Sequence, residues 1–216
     1  PVHGLNIFGI RSLFDDDFEQ LTISKLANYF IKDLRTVHPH GPYRLAGFCQ
    51  DGPLTLEIAQ QLRQQGEPVS LVCVIDSFVK LNQVNRWKQL WYMLRLLGWQ
   101  NVWRKGNHIF NADRDLTKHN ERLTQSERFE SLSKTQKDQI FYRHYSQQAQ
   151  TYRLQSYDGK IVLLLSSEFK FADISSLREQ IATLGQLEIR EVKGLHSFLF
   201  DEPYVKDLAI QLEKSL

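Results

Sequence analysis

Hydrophobic residues follow a helical period near the start of the chain. In "LTISKLANYFIKDLRTVHP" they recur three and four positions apart, which predicts a helix with its apolar face at Ile23, Leu26, Ala27, Phe30, Ile31 and Leu34. Thr22 is a suitable N-cap, and Pro39 ends the pattern. Before this helix, the apolar residues of "PVHGLNIFGI" predict a first strand and its exit.

The pattern then changes to strand, helix, strand. Tyr43 to Phe48 predicts a short strand, and the turn "GFCQDG" leads at once into a helix that Gly66 closes. "VSLVCVIDSF" is a nearly continuous apolar run, which is typical of a buried parallel strand. This alternation predicts an α/β fold with a mostly parallel sheet covered by helices on both faces.

A long polar stretch interrupts the alternation from Lys80 to about Tyr152. It has a helical pattern, more basic than acidic residues, and all four tryptophans in its first part: Trp87, Trp91, Trp99 and Trp103. Strands and helices resume with "GKIVLLLSS", "DISSLREQIATL", "LEIREV" and "EPYVKDLAIQLEKSL". We therefore divide the chain into a first core segment (1–79), a helical insertion (80–152) and a second core segment (153–216).

Composition narrows the classes of protein that fit. The 216 residues suffice for one domain with an insertion, and 42% apolar and 24% charged residues are ordinary for a globular protein. A net charge of +2 gives no general attraction to nucleic acid, and no run of about 18 apolar residues predicts a membrane span. No signal segment opens the sequence, and two cysteines cannot form a disulfide framework, so we expect a cytoplasmic protein. Nothing in the sequence calls for an oligomer or a metal.

Three residues could together perform acyl transfer. Such chemistry needs a nucleophile, a base and an acid that orients the base, and Cys49, His196 and Asp76 each follow a predicted strand. Their chain order of nucleophile, acid, base is that of α/β-hydrolases. Each also has a structural alternative: a small buried cysteine, as we interpret Cys73, a capping aspartate before Ser77, and a loop histidine. The three together carry more weight than any one of them.

Three motifs give the sequence a family resemblance. Residues 41–66 read "GPYRLAGFCQDGPLTLEIAQQLRQQG", residues 74–78 read "VIDSF", and residues 194–212 read "GLHSFLFDEPYVKDLAIQL". In these features the chain resembles the chain-terminating thioesterase domains of nonribosomal peptide and polyketide synthetases, which are α/β-hydrolases. The resemblance implies release of an acyl or peptidyl chain by hydrolysis or cyclisation. It also implies a carrier-protein domain as partner, which presents the substrate on phosphopantetheine, and no cofactor of the enzyme's own.

The resemblance assigns roles to individual residues. Cys49 would be the nucleophile, Asp76 the orienting acid and His196 the base, while the backbone N–H of Gln50 would be one oxyanion donor. The insertion 80–152 would be the lid over the acyl chain. In related stand-alone thioesterases the acid follows a later strand, where this chain has Glu168 and Asp173 as fallback candidates.

The sequence departs from the family pattern at three places. Cys49 replaces the usual serine, so the acyl-enzyme would be a thioester. Asp51 replaces a glycine; a carboxylate there suits the helix dipole but opposes a neighbouring thiolate. The chain also starts at the "VHGL" strand without the family's preceding strand-loop-helix unit, as expected for a fragment or for a domain lacking that unit.

Several interpretations stay open. The tryptophans predict either an amphipathic face packed on the domain or an acyl pocket under the lid. The basic excess of the insertion suits a solvated face or an acidic carrier domain. The whole chain could instead be an acyl-binding or docking domain that has lost activity, or a dienelactone-type hydrolase with cysteine at the same turn.

Overall fold

A parallel sheet forms the centre of the computed structural model, which describes residues 3–5, 7, 21–77, 133–153, 157–167, 169 and 186–215. Within these ranges the strands are β1 (Tyr43–Phe48), β2 (Val69–Ile75), β3 (Lys160–Ser166) and β4 (Gln186–Val192). They lie in the order β1-β2-β3-β4, and every neighbouring pair is parallel.

Helices cover both faces of this sheet. The described helices are α1 (Ile23–Val37), α2 (Gly52–Gln64), α3 (Lys134–Thr151) and α4 (Tyr204–Glu213). The larger core cluster joins one face of β2 and β3 to the apolar sides of α1, α2 and α3. A smaller cluster joins the opposite face to Leu199 and to Leu208 of α4. The predicted α/β architecture, a parallel sheet flanked by helices, is therefore confirmed.

Local signals in the sequence set the ends of these helices. The Thr22 side chain accepts a hydrogen bond from the Lys25 amide at 3.2 Å and caps α1 as predicted. Gly66 follows α2 with a φ of 82°, a conformation that glycine adopts without steric cost. Ser133 and Gln136 form a reciprocal capping box at the start of α3.

The strand register brings the ends of β1 and β2 to the same edge of the sheet. Phe48 is paired with Ile75, so the next residue of each strand, Cys49 and Asp76, emerges at the same level. The register of β3 and β4 pairs Ser166 with Val192, at that same carboxyl edge. Side chains that follow parallel strands therefore converge there.

Some sequence predictions need correction, and others concern residues outside the described ranges. Of the strand predicted at "PVHGLNIFGI", residues 3–5 are exposed and belong to no strand, and Ile7 packs on the core. The other positions of that prediction lie outside the described ranges. Residues 78–132, with the four tryptophans, lie outside the described ranges, as do Glu168, Asp173 and the helix predicted at "DISSLREQIATL". In the described part of the predicted insertion, α3 contributes Phe141 and Tyr145 to the main core. None of the described helices is long and apolar enough to cross a membrane.

Candidate active site

Cys49 lies in a sharp turn between β1 and α2. It opens a short 3₁₀ turn, Cys49–Asp51, and has a φ of 56°, in the left-handed region that residues other than glycine rarely adopt. Such a conformation costs energy and persists only where the surrounding structure enforces it. The turn holds the cysteine half-buried at the carboxyl edge of the sheet.

Gly47 allows α2 to start this close to β1. A Cβ atom at Gly47 would lie 2.1 Å from Thr55 Oγ1 and 2.9 Å from the Asp51 carbonyl oxygen. The Thr55 hydroxyl donates a hydrogen bond to that same carbonyl at 2.8 Å, which ties the turn to the second turn of α2. The first glycine of the "GFCQDG" motif is therefore required by packing.

Asp76 directly follows β2 and has a fully buried side chain. Its φ of 47° is again left-handed, a conformation that aspartate tolerates better than most residues. The Ser166 amide donates to Asp76 Oδ1 at 2.6 Å, while Oδ2 lies 3.1 Å from Nδ1 of His196. The backbone of β3 thus fixes one oxygen of the carboxylate and leaves the other to the histidine.

His196 opens a short 3₁₀ turn after β4 and lies between aromatic rings. Its imidazole stacks on Phe48, with ring centroids 4.6 Å apart and planes 19° apart, and Phe169 meets it edge-on at 5.9 Å. Burial lowers the pKa of His196, but hydrogen bonds to Asp76 and Cys49, together with their negative charges, outweigh burial and raise the pKa to about 10. The surroundings of His196 therefore favour its imidazolium form.

The structure brings together the three residues that the sequence suggested. His196 is hydrogen-bonded to both Asp76 and Cys49. An arrangement of this kind can hold a thiolate–imidazolium pair that a buried carboxylate orients, which is suited to nucleophilic attack on a carbonyl. Gln50 follows the cysteine within the turn, at the position where a backbone N–H can serve as an oxyanion donor.

Helix α3 adds two residues that sequence reasoning missed. The fully buried Tyr145 donates a hydrogen bond to Asp51 Oδ1 at 2.7 Å, and its hydroxyl also lies 3.4 Å from the Gln50 carbonyl oxygen. The pKa of Tyr142 is raised by burial and by the charges of Cys49 and Asp51, while a hydrogen bond to the Gln50 side chain opposes the rise. The spacing of Phe141, Tyr145 and Ala149 signals a buried helix face but not the group that it meets.

Phe48 and Phe169 were also missed as parts of the site. Phe48 is the variable residue before the cysteine in "GFCQDG", and its stacking on His196 joins the nucleophile turn to the histidine loop. Within the described ranges, no group of three or more His, Cys, Asp or Glu side chains is placed to hold a metal ion.

Comparison with known proteins adds family information to this geometry. A family model described as "Thioesterase domain" matches residues 16–203. A non-reducing polyketide synthase of Pseudevernia furfuracea is 37% identical over 76 residues, which are 34% of this chain and 4% of the synthase. A dimodular nonribosomal peptide synthase of Bacillus subtilis is 39% identical over 80 residues, or 36% of this chain and 3% of that protein.

Solved structures agree on the fold. The NocB thioesterase domain from the nocardicin cluster superposes with a TM-score of 0.61 at 24% identity, over 92% of this chain and 77% of that one. This likeness supports the α/β-hydrolase arrangement of the sheet and helices. Because the family match extends over most of the sequence, the chain belongs to the thioesterase domain family.

Proposed function

We propose that this chain releases an acyl or peptidyl chain from the phosphopantetheine thioester of a carrier domain through a cysteinyl acyl-enzyme on Cys49. One observation carries the proposal: Cys49 is held in a left-handed turn and hydrogen-bonds to His196, whose Nδ1 lies 3.1 Å from the buried Asp76. Similarity to segments of a polyketide synthase and a nonribosomal peptide synthase supports the carrier-bound substrate.

In the first half-reaction, the Cys49 thiolate attacks the carbonyl carbon of the substrate thioester. Negative charge moves to the carbonyl oxygen, where the Gln50 N–H is the proposed donor. The tetrahedral intermediate collapses, the pantetheine sulfur leaves, and the His196 imidazolium gives it a proton. One thioester replaces another, so little group-transfer energy is lost at this step.

In the second half-reaction, His196 acts as the base. Its neutral imidazole accepts a proton from water, an amine or a hydroxyl as that group attacks the acyl-enzyme. The Cys49 thiolate leaves and again lies beside an imidazolium. Asp76 holds the ring in one tautomer and balances its charge in both halves. Hydrolysis and cyclisation differ only in the acceptor.

The proposed lid and partner complete this mechanism. Residues 80–152 would cover the acyl chain, with α3 as the part of the lid that is anchored to the core. The basic excess of this segment suits an acidic carrier domain. An alternative function, an acyl-binding domain without turnover, is favoured by Asp51, which places a carboxyl group two residues from the nucleophile.

Thiol release from a short acyl-pantetheine thioester tests the proposal. The wild type and Cys49→Ala are compared with Cys73→Ala, the same substitution at the buried cysteine of β2. We expect release by the wild type and Cys73→Ala and none above background by Cys49→Ala. Equal turnover by Cys49→Ala would refute the acyl-enzyme, and acyl binding without turnover in all three folded proteins would favour the binding domain.

A further inference from the structure

Asp51 occupies a helix-capping position without acting as a cap. It directly precedes Gly52, the first residue of α2, but its side chain makes no capping hydrogen bond, and its φ of −82° and ψ of −6° are helical rather than extended. N-cap residues usually have extended dihedrals and accept a bond from the second or third helical amide. The ordinary structural role of an aspartate at this place is therefore not the one that Asp51 performs.

The carboxyl group of Asp51 instead points at helix α3. Tyr145 has no exposed surface, and its hydroxyl donates to Asp51 Oδ1 at 2.7 Å. Burial raises the pKa of Asp51, and the hydrogen bond from Tyr145 opposes that rise. Asp51 is half-buried, so a carboxyl group that lost this donor would be left partly unsatisfied, which is more costly than never having the pair.

The same tyrosine lies beside the backbone of the nucleophile turn. Its hydroxyl is 3.4 Å from the Gln50 carbonyl oxygen, and the Asp51 carbonyl oxygen accepts from Thr55 at 2.8 Å. The Gln50 carbonyl belongs to the peptide group between Gln50 and Asp51, which is joined through φ and ψ of Gln50 to the preceding peptide group, the one that carries the proposed oxyanion donor. Contacts from α3 and α2 therefore hold two successive peptide groups that follow Cys49.

We propose that Asp51 and Tyr145 are a positioning pair, which fixes the Cys49–Asp51 turn against α3 and so aims the thiol and the Gln50 N–H for acylation. The part of this inference that concerns acylation of Cys49 rests on the proposed function. Neither residue touches the substrate carbonyl; both act through the backbone of the turn. The aspartate that replaces the family's glycine thus strengthens the turn rather than disabling it.

Tyr152 supplies a matched control on the same helix. Its hydroxyl donates to Glu57 Oε2 on α2 at 2.5 Å, so Tyr152→Phe also removes a hydroxyl that bonds to a carboxylate. Tyr152 is the C-cap residue of α3, two turns beyond Tyr145 and about 10 Å from it along the helix axis. Loss of general anchoring would affect both variants, whereas loss of turn positioning affects Tyr145→Phe alone.

The main test measures single-turnover acylation of Cys49 by hexanoyl-pantetheine. We expect Tyr145→Phe and Asp51→Gly each to lower the acylation rate constant about tenfold, with half-saturation unchanged and Tyr152→Phe resembling the wild type. The acylation rate constant of Asp51→Asn should stay within about threefold of the wild-type value, because the amide oxygen of the asparagine still accepts a hydrogen bond from Tyr145. In the Asp51→Gly background, Tyr145→Phe has a smaller effect than in the wild type, because only the contact with the Gln50 carbonyl oxygen is left to lose.

Two results would overturn the pairing. One is an equal loss of acylation rate in Tyr145→Phe and Tyr152→Phe. The other is that Tyr145→Phe lowers the acylation rate constant by the same factor in the wild type and in the Asp51→Gly background. Alkylation by iodoacetamide, compared among the wild type and the two tyrosine variants, separates this inference from the proposed function. It requires no thioester substrate, and burial raises the pKa of Cys73 to about 12, so the signal reports Cys49. If the wild type is never acylated, the proposed function fails; slower alkylation of Tyr145→Phe than of Tyr152→Phe then supports the pair, and equal rates refute it.

Discussion

Asp76 holds the imidazole of His196 at one nitrogen, with its Oδ2 3.1 Å from Nδ1 of the ring. Since Nδ1 is occupied in this way, Nε2 is the nitrogen available to Cys49. The other oxygen of Asp76 is held by the Ser166 amide at 2.6 Å, so the carboxylate cannot turn away without losing a buried hydrogen bond. The carboxyl ends of β2 and β3 therefore fix the orientation of the imidazole through Asp76.

This relationship predicts how His196 titrates. Burial lowers its pKa, while bonds to Asp76 and Cys49 raise it to about 10, so the ring should stay protonated through neutral pH and lose its proton as the pH rises through about 10. We expect Asp76→Asn to lower this pKa by about one to three units, because an opposite charge is removed while burial stays. Imidazole resonances followed by NMR across pH measure this.

Cys49→Ser is a second variant for the same NMR titration of His196. The serine keeps a hydrogen-bonding group but is not ionised at these pH values, so it should also lower the pKa of His196. The resonance of His144, whose Nε2 lies 3.3 Å from the Leu21 carbonyl oxygen, serves as the internal control. A His196 titration that neither substitution moves would contradict the electrostatic account.

Phe48 should matter for turnover more than its partly buried position suggests. Phe48→Leu keeps an apolar side chain but removes the ring that stacks on His196 at 4.6 Å. We expect kcat to fall about tenfold with KM nearly unchanged, because a small displacement of the base is costly in the transition state. Phe200→Leu is the control, since Phe200 is 55% exposed and meets Phe48 edge-on. Equal losses in both variants would show that aromatic packing in general, and not the stack on His196, is what matters.

Gly47→Ala should destabilise the fold. The added methyl group would lie 2.1 Å from Thr55 Oγ1 and 2.9 Å from a backbone oxygen, so the turn or α2 must shift. We expect a loss of about 1–3 kcal/mol in the free energy of unfolding, measured by urea titration. Gly4→Ala, which meets nothing within 4 Å, should change it by less than about 0.5 kcal/mol.

A second substitution checks the cause of that loss. Adding Thr55→Ala to Gly47→Ala should recover part of the stability, because the shorter side chain removes the nearest clash but not the backbone one. If the double variant is no more stable than additivity predicts, the clash with Thr55 is not responsible.

The sequence could predict much of the fold because single segments carry the necessary signals. The apolar runs at β2 and β3 predict buried parallel strands, and Thr22 marks the start of α1. The prediction failed for residues 3–5, since apolar residues near glycines do not show that a segment has a pairing partner.

Part of the site could also be anticipated, because residues that follow parallel strands must meet at one edge. That rule applies to Cys49 and Asp76, whose strands are in register. It could not reveal the contact between Asp51 and Tyr145, which are 94 residues apart and lie on different types of element. Hydrophobic periodicity shows that Tyr145 is buried, but the partner of its hydroxyl depends on how α3 packs.

The central claim, an acyl group carried by Cys49, is tested most directly by intact-protein mass spectrometry after brief mixing with hexanoyl-pantetheine. We expect the wild type and Cys73→Ala to gain one hexanoyl group, Cys49→Ala to gain none, and peptide mapping to place the label on Cys49. A folded wild type that neither gains mass nor releases free pantetheine, or a label that persists in Cys49→Ala, would contradict the account.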